Sequence, residues 1–291
     1  MPLSDDPLFE LLRPARLTAV VDIGANPIAS DGAPPYQPLL DKRIGTLVGF
    51  EPNPEALAEL QARKGDLETY LPYALGDGGE GVLRICQASG MTSLFAPEPK
   101  VLDCFPLFSQ FGRVLREAAI PTRTLDSLEE VPHVDYLKID IQGSELSVFR
   151  NGAAKLSRAV AIHTEVSMVP LYKHQPVFGE VDLALRALGF VPHMIASANK
   201  RMILPLQIQS EPYAALNQVL ELDMVYVRDF TRLESMESEQ LKHLALVAHH
   251  AYRSWDLAGR CLLALAEREA IRADALARYL DLLQEPARAA A

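Results

Sequence analysis

Thr18-Ala19-Val20-Val21-Asp22-Ile23-Gly24-Ala25-Asn26 is the stretch on which the reading of this 291-residue chain turns. Val20, Val21 and Ile23 are β-branched, as a pleated strand prefers. The nearly continuous apolar run fits a parallel strand covered on both faces. Gly24 carries no Cβ and lets the backbone turn sharply. In open α/β sheets, a glycine turn at the carboxyl end of the first strand is where nucleotides and related cofactors bind. Taken alone, such a stretch is more often ordinary strand-and-turn chemistry than a cofactor site.

The next apolar run shifts that balance. Gly45 to Pro52 reads Gly-Thr-Leu-Val-Gly-Phe-Glu-Pro and ends in the acid Glu51. A carboxylate at the tip of the second strand accepts both hydroxyl hydrogens of a ribose. Glu51 follows Asp22 by 29 residues (51 − 22), against roughly 20 in the dinucleotide fingerprint. The extra length is the loop Pro27 to Pro38, which holds four prolines.

The remaining pattern alternates strands and helices. A leading helix is expected around Leu8 to Leu12, and a shortened crossover helix over Tyr36 to Lys42. Pro54 suits the first turn of a helix running to about Arg63. Glu68 to Leu75 reads as a third strand, Gly76-Asp77-Gly78-Gly79 as a turn, and Gly81 to Gln87 as a returning strand. Ala88 to Phe111 is irregular and proline-rich, a candidate mobile or substrate-facing insertion. Arg116 to Leu125 reads as an edge strand. Strand four, Val134 to Ile141, runs into a helix that Asn151-Gly152 stops near Arg150. Strand five is Ala159 to Val166, and a helix follows over Phe178 to Leu188. Shorter strands are expected near Phe190 to Ala196, Arg201 to Leu204 and Asp223 to Arg228. The whole predicts a doubly wound, mostly parallel α/β sheet.

Composition changes near Phe230. Beyond it, Leu241, Leu244, Ala245, Ala248 and Tyr252 recur at helical spacing, which predicts two or three helices. Residues 1–230 are therefore read as the principal domain and 231–291 as a helical C-terminal extension, through whose helices a homo-oligomer could form.

Charge and cysteines narrow the function. A net charge of −10 argues against nucleic-acid binding, which needs clustered Lys and Arg. No apolar run approaches the ~20 residues of a membrane span, and the amino-terminal residues lack the basic start of a signal peptide. Cys86, Cys104 and Cys261 lie far apart and suit a reducing cytoplasm better than a disulfide framework. His249-His250 reads as one helix face, with no third ligand at metal spacing.

Several blocks together resemble the FkbM-type family of S-adenosylmethionine-dependent methyltransferases. They are Val21 to Asn26, Gly49-Phe50-Glu51-Pro52, Ala74-Leu75-Gly76-Asp77, Met91-Thr92-Ser93-Leu94 and Thr122 to Asp126. Tyr136 to Glu145, with its Lys-Ile-Asp-x-x-Gly-x-Glu pattern, and Thr164-Glu165-Val166 complete the set. The resemblance covers about residues 18 to 229. It implies a class I, Rossmann-like methyltransferase fold and O-methylation of a hydroxyl on a sugar, glycan or related natural product. The acceptor would be that sugar, glycan or small molecule. S-adenosyl-L-methionine would lie against Asp22, Gly24, Ala25, Asn26, Glu51, Pro52, Asn53, Ala74, Leu75, Asp77 and Asp140. The chain departs from the pattern after Asn26, where Pro27-Ile28-Ala29 replaces a further glycine.

Methyl transfer to an alcohol oxygen requires the hydroxyl proton to leave as the new bond forms. The candidates are Asp140 at the tip of strand four and Glu165 near the tip of strand five. His163 lies two residues before Glu165, on the same face. Two of them have a plainer reading: Asp140 ordering its turn, His163 filling the core. Lys138 would pair with Asp140 or Glu165, Glu145 would favour its helix dipole, and Asp77 would contact adenine or cap the glycine turn. A divalent metal is not expected, although Mg²⁺ between Asp140 and Glu165 is the alternative mechanism. Other readings are a nicotinamide-dependent oxidoreductase, which only Gly24 of a G-x-G-x-x-G run supports, and a non-catalytic cofactor-binding subunit.

Overall fold

The computed structural model describes residues 5–26, 32–208, 211 and 213–289. Strands follow in the order β1 (Thr18–Ile23), β2 (Gly45–Phe50), β3 (Glu68–Leu71), β4 (Ala74–Leu75), β5 (Glu80–Cys86), β6 (Val114–Arg123) and β7 (Tyr136–Ile139). Then come β8 (Ala161–Ser167), β9 (Phe190–Arg201) and β10 (Gln218–Arg228). Seven of them form one sheet in the order β3-β2-β1-β7-β8-β10-β9. β1, β2, β3, β7 and β8 run parallel, and β10 runs antiparallel to both its neighbours. The chain winds outward from β1 to β3, then returns to add β7 on the other side of β1. That reversal sets a topological switch point at the carboxyl ends of β1 and β7, where such sheets bind ligands.

Helices are α1 (Pro7–Leu12), α2 (Gln37–Asp41), α3 (Pro54–Arg63), α4 (Pro99–Leu102), α5 (Phe108–Phe111), α6 (Glu145–Arg150), α7 (Ala153–Leu156) and α8 (Phe178–Ala187). The last three are α9 (Ser238–Tyr252), α10 (Trp255–Glu267) and α11 (Ala275–Ala289). Local chemistry sets two of the starts. Asp6 accepts the Phe9 N–H ahead of Pro7, and Asn53 accepts the Glu55 N–H ahead of Pro54.

Strand alternation gives the sheet two different faces. Val21, Ile23, Leu137, Ile139, Ile162 and Val166 pack with Leu146, Phe149 and Leu185 of α6 and α8. On the opposite face Val20, Leu47, Tyr136, Ala161, Val225 and Val227 pack with α1, α2 and the helices α9, α10 and α11. Polar ties reinforce this helical layer. Asp135 holds Arg16, the Ala19 N–H at 2.7 Å and, at 3.9 Å, the buried His243 of α9. His250 of α9 lies 3.3 Å from Asp6, and His249 bonds the Tyr279 hydroxyl at 2.9 Å. The histidine pair is thus a packed helix face.

Four expectations from the sequence need correction. Glu68 to Leu75 is not one strand: Pro72 lacks an N–H, and the chain passes to a second sheet at β4. β6 is the centre of that second sheet, in the order β4-β6-β5, rather than an edge. Its Pro121 is tolerated because β4 covers only Thr122 and Arg123. Residues 190–201 form a single bulged strand, with no separate strand over 201–204. The 88–111 segment is not irregular throughout. It folds into short helical turns whose Met91, Leu102, Phe105 and Phe108 pack on Leu171, Tyr172 and Leu220. The first residues of the Pro27–Pro38 loop lie outside the described residues.

Candidate active site

The tips of β1, β2 and β7 are laced together. Gly24 and Ala25 both donate to the Phe50 carbonyl at 3.0 Å, and Asp140 N–H donates to the Ile23 carbonyl at 3.0 Å. Gly24 has φ +81°, and a Cβ there would stand 2.0 Å from the Asp140 carbonyl oxygen. Only glycine permits this approach, since any side chain would collide with backbone. Ala25 is buried and Asn26 half-buried beside the turn.

Glu51 leaves the tip of β2 with only 5% of its surface exposed. Its Oε1 accepts the Asn53 N–H at 2.7 Å. Its Oε2 accepts no hydrogen bond from the described residues. Burial pushes the carboxyl above its ordinary range, against the Asn53 bond. Pro52 is half-buried, and Asn53 caps α3. Ala74 and Leu75 are buried in β4. Asp77 caps the glycine turn through the Gly79 N–H at 2.9 Å and stays exposed.

Asp22 is buried and faces the helical layer. Tyr36 donates to its Oδ2 at 2.6 Å, and Lys138 Nζ stands 3.3 Å from its Oδ1. The lysine contact is an ion pair without hydrogen-bond alignment, since that oxygen has no hydrogen-bond partner. Lys138 therefore pairs with Asp22, not with Asp140 or Glu165, because Asp22 is its direct neighbour in the β1–β7 register. Burial pulls the lysine pKa down, but Asp22 and then Asp140 outweigh it, so it remains charged.

The carboxylates at the tips of β7 and β8 are joined by a residue that sequence reasoning passed over. Gln142 Nε2 donates to Asp140 Oδ1 at 2.9 Å and to Glu165 Oε2 at 2.7 Å. Its Oε1 accepts from the Tyr172 hydroxyl at 3.1 Å, and its carbonyl from Ser93 Oγ at 2.7 Å. Gln142 has φ +56°, a left-handed conformation rare outside glycine. Glu145 holds the turn by accepting the Ile141 and Gly143 N–H groups at 2.9 and 3.1 Å. Burial pushes Glu145 up to about 7, despite those bonds. Gln142 fills an unassigned position within the Lys-Ile-Asp-x-x-Gly-x-Glu block, and its left-handed backbone is visible only in three dimensions.

Glu165 is pushed well above the usual carboxylate range by burial, then by the charges of Glu221 and Asp140. Glu221 enters because β10 starts at Gln218, earlier than its sequence suggests. It is also raised by burial, and Asn199 donates to it at 3.0 Å. His163 shares the face. Its Nδ1 lies 3.0 Å from the Tyr252 hydroxyl and its Nε2 4.0 Å from Asp223. Burial lowers its pKa, more than the attraction of Asp223 raises it.

The structure thus gathers Asp140, Glu165 and His163 on one face of the sheet, beside Gly24 and Asp22. Asp77 sits on a separate exposed turn. Among the described residues, no group of three or more His, Cys, Asp or Glu side chains is arranged to hold a metal ion. No helix among them is long and apolar enough to cross a membrane.

This strand order, with its glycine turn and acid-tipped second strand, is the class I, Rossmann-like methyltransferase fold. The chain belongs to the methyltransferase FkbM domain family, which it matches over residues 22–192. It is accordingly an S-adenosylmethionine-dependent methyltransferase. Similar solved structures include magnesium protoporphyrin IX methyltransferase from Synechocystis with bound S-adenosylmethionine. That likeness has 11% identity over 74% of this chain and 71% of that one, with a TM-score of 0.35. A TehB-like methyltransferase from Corynebacterium glutamicum shares 8% identity over 76% and 85% of the two chains, with a TM-score of 0.34. A methyltransferase from Aquifex aeolicus shares 10% over 77% and 90%, with a TM-score of 0.31. No curated protein matches the chain.

Proposed function

We propose that the protein is an O-methyltransferase acting on a hydroxyl of a sugar, a glycan or a related natural product. The observation that carries this reading is the Asp140–Gln142–Glu165 arrangement beside the glycine turn. Carboxylates and amides crowd one face there and offer acceptors to a hydroxyl-rich molecule. The net charge of −10 disfavours polyanionic acceptors such as nucleic acid.

The residues fit the cofactor. Glu51 keeps one carboxylate oxygen for the ribose hydroxyls, and Gly24 leaves the turn free of side chain. Asn26, Pro52 and Asn53 continue the same rim, with Ala74, Leu75 and Asp77 assigned to the adenine side. Asp22 stands behind the turn. Bound S-adenosylmethionine supplies the activated methyl group, and the chain supplies orientation. Asp140 and Glu165 hold the acceptor hydroxyl and take its proton. Glu165 keeps its own proton into a higher pH range than a free carboxylate. Glu165 is therefore a stronger base once ionised than a free carboxylate, and its share in taking the proton grows as pH rises.

We read residues 1–230 as the catalytic domain and 231–291 as an extension packed on it, with Trp255, Leu263 and Leu280 exposed for self-association. Sedimentation tests that last point. The described cysteines are unpaired, which supports placement in the cytoplasm.

Calorimetry with S-adenosylmethionine tests the cofactor assignment. Replacing Glu51 by Ala should weaken binding by roughly 1.5–3 kcal/mol, the worth of a charge-assisted hydrogen bond. Equal affinity in wild type and Glu51→Ala would overturn the role of Glu51, and tighter binding of NAD would favour the oxidoreductase reading. Methyl transfer to a panel of sugars and glycans tests the acceptor class, and turnover indifferent to chelator removes the Mg²⁺ alternative.

A further inference from the structure

Tyr252 is the last residue of α9, yet its hydroxyl reaches the active-site face of the sheet. It lies 3.0 Å from His163 Nδ1 and in hydrogen-bond contact with the Tyr136 hydroxyl. The His163 and Tyr252 rings stack at 28°, with centroids 6.1 Å apart. Arg253 follows in the left-handed conformation, φ 55°, and ends the helix. Ser254 then places its Oγ 2.7 Å from His193 Nε2. The α9–α10 turn is thus fastened to the sheet through two histidines.

The direction of the hydrogen bonds follows from burial. Tyr136 is fully buried, and Tyr252 is its one hydrogen-bond partner among the described residues. A buried O–H without an acceptor is costly, while an oxygen without a donor is better tolerated. Tyr136 therefore donates to Tyr252, whose own hydrogen goes to His163 Nδ1. A neutral imidazole that accepts at Nδ1 carries its hydrogen on Nε2. That nitrogen faces Asp223 of β10, whose carboxylate is 40% exposed. Lys138, Asp140 and Asp22 also act on the ring from the neighbouring strands, and Tyr252 faces it from the helical layer.

We infer that Tyr252 is a positioning residue for the active site. It fixes His163 as the neutral Nε2–H tautomer, so that the ring offers a hydrogen-bond donor, not a base, to an oxygen of the bound acceptor. The C-terminal helices thereby contribute to the site as well as to the core. The placement of the acceptor rests on the proposed function, but the tautomer does not.

Long-range proton–nitrogen spectra of the full, ligand-free chain report the tautomer and titration of each histidine, with His163→Gln identifying the signal. Wild type should show His163 protonated on Nε2. In Tyr252→Phe the neutral ring loses its hydrogen bond, so the His163 pKa should rise by about one unit, a tenfold change. Tyr136→Phe should keep the tautomer and shift the pKa less. In a methylation assay, Tyr252→Phe should raise KM for the acceptor more than it lowers kcat. An Nδ1–H tautomer in wild type, or an unchanged or lowered pKa in Tyr252→Phe, overturns the inference. Correct spectra with no methylation of any hydroxyl acceptor would overturn the proposed function alone.

Discussion

The two faces of the central sheet part company toward the carboxyl ends of its parallel strands. Under α6 and α8 the face stays uncharged to the tip, with Ile139, Thr164 and Val166 buried at the ends of β7 and β8. Toward the C-terminal helices, the same strands turn from Tyr136 and Ala161 to Lys138, His163, Asp140 and Glu165. β10 repeats the change, from Val225 and Val227 to Asp223 and Glu221. The helical layer packs on the apolar half of this face, and the proposed reaction uses the polar half. One face carries stability along the whole strand. The other divides its length between an apolar half and a charged one.

The most direct way to break this contrast is to put a charge on the apolar face. Ile139→Asp should cost about 4 kcal/mol or more, because a fully buried carboxylate would have no partner. Urea unfolding measures it, and a loss under about 1 kcal/mol would show that the faces differ less than their burial implies.

On the polar face the expected losses are catalytic. Asp140→Asn and Glu165→Gln should each lower turnover by about 10²–10⁴-fold, as loss of a general base does. Affinity for S-adenosylmethionine should survive better in Glu165→Gln, because β7 pairs directly with β1 and β8 does not. Near-normal turnover in both variants would remove these carboxylates from the mechanism.

The smallest effect concerns Glu145, which shapes the Gln142 turn from beneath. Its ordinary value of 4.5 is raised to about 7 in the fold. Below the lower value both states hold the proton, and its contribution to stability is fully present. As pH rises toward the upper value the unfolded chain releases the proton first, so stability falls, by about 3 kcal/mol for a shift of this size. Urea midpoints in wild type should therefore decline over that window, and Glu145→Gln should flatten the decline. Equal slopes in the two proteins would assign the titration elsewhere.

Much of this design could be read before folding was considered. Val20-Val21-Asp22-Ile23-Gly24, the acid Glu51 and the Asp140–Glu145 block mark strand tips, because period-two burial and glycine turns depend on neighbours along the chain. The tail's helices followed from their spacing in the same way. Less was legible where distant segments meet. Spacing along the chain offers Lys138 Asp140 or Glu165 as partners, yet parallel register with β1 gives it Asp22. Gln142 carries no role legible in the sequence, and a left-handed backbone brings its amide between two carboxylates.

The sequence by itself thus determined the central parallel strands, the strand tips that bear acids and the family to which they point. Only the tertiary structure decided which acids Gln142 bridges, which lysine neutralises Asp22, and that Tyr252, 89 residues beyond His163, touches its ring. The reason is physical: local pattern specifies which way a side chain faces on its own strand, while charge, tautomer and pKa depend on whatever the fold brings within a few ångströms from elsewhere.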